Sequence, residues 1–430
     1  MKIVITISII IAGCFRLLGQ SQVPEKYLNF ALENNPGIQA KYKAFEASLQ
    51  EVSKAKSLPD PGLSAGYFIW PVETRVGPQR IRFSLSQMFP WFGTLKARGD
   101  IAALMAEAKY QDFLDATNEV FYNIAVVWYM LYEVNKKQEL ELDNRNILES
   151  YKTITTRKFA SGTGAMSDVL RTDILLLKSM TNLNLLETKA NELVTRFNLL
   201  LNRDEEAEII ISDTLDLDQS IELTISDTAL ASNPRVKEMN YKIAASQKNE
   251  KLAVKQGMPE LGIGLDYVIV GERSGMDFTG NGKDILMPMV SLSIPVIRKK
   301  YKAAVKEAVL MQENYKLQKM DVLNSLKEKY ESARFEMNQR KALIVLYKKQ
   351  ARESEQVLNL LFSSYSNSGK AFEEVLLVQQ QLLKFAKQEV EATAMYYTAL
   401  ANLRYKISGI APFFIENMKG KKIKTNDNDK

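Results

Sequence analysis

The chain has 430 residues, 46% hydrophobic and 25% charged, a composition that folds around a large core rather than staying disordered. It contains no histidine and one cysteine, Cys14, which excludes histidine-based acid/base catalysis, Ser-His-Asp and Cys-His nucleophiles, His/Cys zinc sites and structural disulfides. The formal net charge of +6 comes from 57 basic against 51 acidic residues mixed along the chain, with a basic cluster at Lys419, Lys421, Lys422 and Lys424 that reads as a solvated tail; no stripe for nucleic acid stands out.

At the start, Lys2 precedes an apolar run over residues 3–12 that is too short for a permanent membrane helix and right for a signal peptide, assigned to residues 1–22. Export follows. Two processing routes fit: Ile11-Ala12-Gly13-Cys14 has the form of a lipoprotein box that would acylate Cys14, and Leu18-Gly19-Gln20 precedes an ordinary cleavage site equally well. Beyond this segment no stretch of about 18 uncharged apolar residues occurs, so any membrane span has to be made of strands.

Between Pro90 and Pro234, and again between Pro295 and Pro412, there is no proline, and glycine is sparse, which marks two helical territories. Val120, Ile124, Val127, Leu131 and Val134 in the first, and Leu323, Leu326, Tyr330, Ala333 and Met337 in the second, alternate spacings of four and three, the seam of a coiled coil. A helix over residues 94–161 would run roughly 100 Å at about 1.5 Å per residue, longer than an ordinary globular domain needs. The territories belong to two copies of one unit. Ala31, Asn35, Pro36, Ile38, Pro61, Leu63 and Gly66 match Ala229, Asn233, Pro234, Val236, Pro259, Leu261 and Gly264 at a constant separation of 198 residues, and Phe159, Ala165, Val169 and Leu170 match Tyr365, Ala371, Val375 and Leu376 at 206. Each copy reads helix, two strands, very long helix, turn, long helix. The copies span residues 24–203 and 228–409, with a linker at 204–227 holding a short strand candidate at 209–211 and a tail at 410–430. The fold class is mainly α with a small β part.

The strands alternate completely. Over residues 80–86, Ile81, Phe83 and Leu85 face one way and Arg80, Arg82, Ser84 and Ser86 the other; Leu261, Ile263, Leu265, Tyr267 and Ile269 oppose Gly262, Gly264 and Asp266; Ser291 and Ser293 alternate with Val290, Leu292 and Ile294. Tyr67, Phe68 and Trp70 put aromatics at a strand end. This is the pattern of a transmembrane barrel strand and also of any half-buried antiparallel sheet. Four strands cannot close a barrel, and open edges are not tolerated in lipid, so in a membrane other copies must complete them. Two copies would give eight strands and a filled interior; three would give twelve and an open lumen lined by Arg82, Ser84, Ser86, Asp266, Ser291 and Ser293.

The two-copy order, the passages Gln87-Met88-Phe89-Pro90-Trp91-Phe92-Gly93 and Leu292-Ser293-Ile294-Pro295-Val296, and the turn from Phe159 through Gly162 and Ala165 to Asp168-Val169-Leu170 resemble the TolC-like outer membrane efflux proteins. The second turn departs from the pattern, with Ser368 at the glycine position, Gly369 one residue late and Glu374 for the aspartate. The resemblance implies a homotrimer with a twelve-stranded barrel in the outer membrane and a periplasmic coiled-coil tunnel. It implies no cofactor and no catalysis. The tunnel end would dock on a periplasmic adaptor and an inner-membrane pump through tips formed by Phe159, Gly162, Asp168, Val169 and Leu170 and by Tyr365, Gly369, Val375 and Leu376. Gly162 and Gly164 are expected to allow the left-handed backbone of the reversal, and Val169 and Leu170 to form an exposed pair or to begin the seam of the returning helix. The stretch Gln87-x-x-Pro90-Trp91-Phe92-Gly93 is similar to that of members serving cation efflux, which points to metal cations or drugs as cargo.

Sixteen methionines invite a soft-metal reading, and Met287 and Met289 share one strand face, but helical methionine is usually core filler. Gly280-Asn281-Gly282-Lys283-Asp284 lacks the first glycine and the hydroxyl residue of a phosphate loop and reads as the second hairpin's turn. The carboxylates are scattered over helices, and none is nominated as acid or base. The alternative to a channel is an exported coiled-coil scaffold or adhesion protein without a pore.

Overall fold

The computed structural model describes residues 23–211, 215, 230–275, 279–368 and 372–409. Cys14 and the rest of the leader, residues 212–214 and 216–229 in and beside the linker, Gly369, Ala371 and the 410–430 tail lie outside the described residues.

Two helices open the chain, α1 (Glu25–Asn34) and α2 (Pro36–Lys56), followed by strands β1 (Gly62–Thr74) and β2 (Gly77–Phe89). Then come the long helix α3 (Thr94–Ala160) and α4 (Met166–Leu201). The order repeats with α5 (Pro234–Gln256), β3 (Glu260–Val270), β4 (Ile285–Ser293), α6 (Arg298–Ser368) and α7 (Phe372–Ala401), which continues as a π-helical segment, Asn402–Ser408. Among the described residues the proline-free territories are therefore mostly helical, and α3 ends one residue before the expected limit.

The repeat is visible in its caps. Asn35 stands between α1 and α2; its side-chain N–H donates to the Leu200 carbonyl at 2.8 Å and its Oδ1 accepts from the Ile38 N–H at 3.1 Å. Asn233, its match, donates to the carbonyls of Lys406 and Ile407 at 3.1 and 2.9 Å. In both copies an Asn-Pro corner thus satisfies carbonyls at the end of the copy's last helix, which would otherwise be orphaned. Gly409 closes the second copy in the left-handed region, with φ 69°, and a Cβ there would lie 2.8 Å from Pro234 Cδ. Over residues 209–211 the expected strand has no partner among the described residues. The N–H of Ile210 donates instead to the Tyr27 hydroxyl.

By contacts the chain divides into two compact units, and these are not the two copies: each takes pieces of both. The first comprises the described residues of Met1–Lys41, Phe113–Pro234 and Leu323–Lys430. Its core is built on the helical seams, with Ile124, Val127 and Leu131 of α3 and Leu326 and Ala333 of α6 fully buried. An aromatic group of Tyr27, Trp128 and Phe197, with ring centroids 5.1–5.9 Å apart, fastens α1 to α3 and α4. The second unit comprises Tyr42–Asp112 and Arg235–Val322 and holds the sheet. Within it Phe45 of α2 packs on Tyr110 of α3, and Ser246 of α5 donates to the Ala308 carbonyl of α6 at 3.0 Å.

Candidate functional sites: the sheet and the helical tips

The four strands form one antiparallel sheet in the order β1-β2-β3-β4. Its register puts Ser64, Ser84 and Asp266 in one row, with Met287 beyond, and Gly62, Ser86, Gly264 and Met289 in the next. Directly opposed residues share a face, so Arg82, Ser84, Ser86, Asp266, Ser291 and Ser293 all stand on one side of the sheet. The other side carries Leu63 and Tyr67 on β1, Phe83 and Leu85 on β2, Ile263 and Leu265 on β3, and Val290 and Leu292 on β4. That apolar side is open, from 39% exposure at Phe83 to 76% at Val290. Burying such a side chain stabilises by roughly 1.5–3 kcal/mol, so a single copy in water leaves a large part of its apolar surface unused. Phe68 and Trp70 do not end the strand as expected: β1 runs on to Thr74, and the aromatics sit where its register against β2 slips between Tyr67 and Val72.

On the polar side Arg82 is ion-paired with Asp266, whose carboxylate is fully buried. The Gly280–Asp284 stretch is the turn between β3 and β4, with Gly280 and Gly282 in the left-handed region. It packs on the β1–β2 turn through the Gly282 N–H, which donates to the Val76 carbonyl at 2.7 Å.

The tips belong to the first unit. After α3, Gly162 takes φ 73°, and a Cβ added there would have nothing within 4 Å, so its need is conformational alone. Gly164 is different from expectation: its backbone is not left-handed, and a Cβ there would meet Lys158 Cβ at 2.9 Å. Space, rather than backbone freedom, requires that glycine. Val169 and Leu170 are not an exposed pair, because Val169 is buried at 7% and only Leu170 is open at 52%. Helical geometry turns consecutive residues about 100° apart, which splits the two between seam and surface. Phe159, in the last turn of α3, is also exposed, at 47%.

The second copy's residues are placed otherwise. Tyr365, Val375 and Leu376 are buried in a cluster with Leu148, Tyr151, Leu358, Phe372 and Val378, so they form core and not a contact surface. The Tyr365 and Phe372 rings lie 4.6 Å apart, tilted by 38°, and the Lys158 ammonium lies 4.3 Å from the Tyr365 ring while donating to its backbone carbonyl at 2.7 Å. Arg171 pairs with Glu373, and Lys152 with Asp173 at 2.7 Å. Partial burial holds the Asp168 carboxyl above its ordinary value; Arg171 opposes that shift and Glu373 adds to it.

Sequence reasoning missed one feature of this unit. Glu141 of α3, with 1% side-chain exposure, accepts hydrogen bonds from Ser179 and Asn182 of α4, both at 2.9 Å, and is ion-paired with Lys387 of α7. Nearby, burial pulls the Lys137 ammonium down, but the hydrogen bond from it to Glu133, with Glu391 beyond, holds it above its ordinary value. Only the three-helix packing creates the Glu141 network; a lone glutamate in a charged helix carries no sign of it.

Among the described residues no helix is long and apolar enough to cross a membrane, and no cluster of acidic, cysteine or histidine ligands could hold a metal ion. No protein-family model and no curated protein matches the chain. Among solved structures, CusC, whose crystal structures concern folding and transmembrane channel formation, matches with TM-score 0.75 at 12% identity over 90% of each chain. The outer membrane protein VceC of Vibrio cholerae matches at TM-score 0.72 and 15% identity, covering 89% of this chain and 95% of its own. The outer-membrane channel OprN matches at 0.70 and 15%, over 90% and 89%. The chain has their fold, mainly helical with a small antiparallel sheet, as expected from its resemblance to the TolC-like proteins.

Proposed function

We propose that this chain is the outer-membrane channel of a tripartite efflux system, a passive trimeric conduit that carries metal cations or drugs from a periplasmic adaptor and inner-membrane pump to the exterior. The observation that carries the reading is the sheet. It has two open edges, β1 and β4, an exposed apolar face and a polar one, in strands of 9–13 residues that suit the outer membrane's hydrocarbon thickness. Because the meander is antiparallel with four strands, β4 of one copy and β1 of the next run in opposite directions and can pair edge to edge. Three copies then close twelve strands, with the apolar face toward lipid and Arg82, Ser84, Ser86, Ser291 and Ser293 toward water; Asp266, expected with them, is on the same face but buried against Arg82. The fold shared with outer membrane channels supports this choice over a poreless scaffold.

The same reading places the protein in the bacterial outer membrane with a helical tunnel in the periplasm, and gives the adaptor the tip surface around Phe159, Gly162, Asp168 and Leu170. Energy comes from the pump; the channel supplies a path and needs no catalytic group. Edge pairing is tested by disulfide trapping. Single cysteines introduced along residues 63–67 of β1 and 288–292 of β4 should give, for one register, a ladder on a non-reducing gel that stops at three chains. Absence of any cross-link from membranes that contain the protein would overturn it.

A further inference from the structure

The basic surplus of the chain is concentrated at one edge of the sheet. All four strands meet their helices at the same end, where Gly62 stands opposite Ser86, Phe89 opposite Leu261 and Glu260 opposite Ser293, and both hairpin turns lie at the other end. The four passages between strand and helix, residues 54–61, 90–98, 251–259 and 294–302, hold ten basic residues and one acidic, Asp60, a surplus of nine where that of the whole chain is six. The passages are tied together through neutral groups. Gln87 donates to the Pro59 carbonyl at 2.8 Å, Lys255 to the Phe92 carbonyl at 3.0 Å and Arg298 to the Gly257 carbonyl at 3.0 Å. Of the ten cations only Lys54 meets a carboxylate among the described residues, that of Glu51 at 3.3 Å. The same passages expose large apolar side chains: Phe92 is 83% open, Val296 80% and Ile297 76%, and Trp91 and Ile294 are exposed as well. Ile294, two residues beyond Leu292 and held extended by the proline that follows it, continues the apolar face of β4.

A surface facing only water calls for neither feature, since open aromatic and aliphatic side chains are poorly hydrated and uncompensated like charges repel one another. Together they match a membrane boundary, where apolar side chains enter the acyl edge and lysine and arginine stems reach out to the headgroups. We infer that this strand-to-helix seam binds the headgroups of anionic glycerophospholipids such as phosphatidylglycerol in preference to zwitterionic ones. The inference rests on the channel reading, which puts this edge of the sheet at the periplasmic leaflet of the outer membrane. A soluble polyanion would account for the cations but not for the open Phe92, Val296 and Ile297. The preference belongs to the helical end alone, because the hairpin turns, residues 73–80 and 271–284, hold four basic and four acidic residues. Each lysine or arginine close to an anionic surface strengthens the attraction about fivefold, within a Debye length.

The test reconstitutes the full protein in bilayers that mix brominated phosphatidylglycerol or brominated phosphatidylcholine with unbrominated phosphatidylcholine, and reads tryptophan quenching at low salt. Trp70→Phe leaves Trp91 as the reporter, because Trp128 is fully buried in the first unit. Lipid association at Trp91 should favour phosphatidylglycerol about fivefold, and sodium chloride at about 0.5 M should remove the preference. Lys299→Gln/Lys300→Gln/Lys302→Gln, all at exposed positions, should reduce it at least twofold, and Lys299→Arg/Lys300→Arg/Lys302→Arg should keep it. A second reporter, Phe83→Trp with Trp70→Phe and Trp91→Phe, reads the apolar face within the sheet and should be quenched by both lipids alike. Equal association of the two lipids at Trp91, a preference unchanged in the glutamine variant, or one abolished by inorganic phosphate at constant ionic strength would overturn the headgroup site. So would quenching at position 83 with none at Trp91. Quenching at neither position would sink the channel reading instead.

Discussion

Replacing Glu141 by glutamine probes the buried ion pair that ties α3, α4 and α7 together. The substitution keeps shape and removes charge, leaving Lys387 without a counter-ion and Ser179 and Asn182 competing for one weaker acceptor. Breaking a fully buried pair costs about 3–5 kcal/mol. Here Lys387 keeps 23% of its side-chain exposure, and a cavity of about 690 Å³ bordered by Lys178, Leu383 and Lys384 lets water approach it. The charge term therefore falls to roughly 2 kcal/mol, and a poorly satisfied buried donor restores about 1 kcal/mol. At 1.36 kcal/mol per decade, about 3 kcal/mol is a roughly 150-fold increase in local opening. Native-state hydrogen exchange, read on α4 peptides containing Ser179, measures it. Lys387→Met should show a similar increase, and the double variant less than the product of the two, because neither charge is then left alone. Exchange in Glu141→Gln within about threefold of the parent would refute the reasoning.

Three further outcomes follow from named contacts. Leu265→Arg on the apolar face should lose about 2–4 kcal/mol of insertion energy and block membrane assembly, whereas Ser84→Arg on the opposite face should assemble and alter conductance; both are read by heat-modifiable gel mobility and planar-bilayer recording. Gly164→Val should destabilise the tip more than Gly164→Ala because of the contact with Lys158, while Gly162→Ala meets only the left-handed backbone cost of about 1 kcal/mol; transport assays should show impaired export with trimers intact, and loss of the trimer would contradict the division of labour between tip and sheet. Asp168, with its folded carboxyl raised above 3.8 by burial, favours the protonated form in the fold. Its contribution is present below the ordinary value and lost as pH rises through the raised one, so exchange at the tip should quicken over that interval and Asp168→Asn should flatten the profile.

Much of the architecture was legible in the sequence because strands and long helices announce themselves locally. Alternation at Ile81, Phe83 and Leu85 and the absence of proline through α3 depend on near neighbours alone. The repeat separation likewise singled out Asn35 and Asn233, although only the structure gave the pair a capping role. Properties set by distant packing were not readable. Tyr365, Val375 and Leu376 have the same chemistry as an exposed tip and yet are core, because Leu148 and Tyr151 of α3 and Leu358 of α6 pack with them. Val169 and Leu170 are adjacent apolar residues of which the seam takes one.

Single-particle imaging of the protein extracted in detergent from bacterial outer membranes tests the central claim most directly. A threefold particle with a detergent belt around a closed twelve-stranded barrel, β4 of each copy paired with β1 of the next, is the predicted result. A monomer or dimer with no belt, its four-stranded sheet left open to water, would contradict the channel and make a poreless exported scaffold the account of this fold.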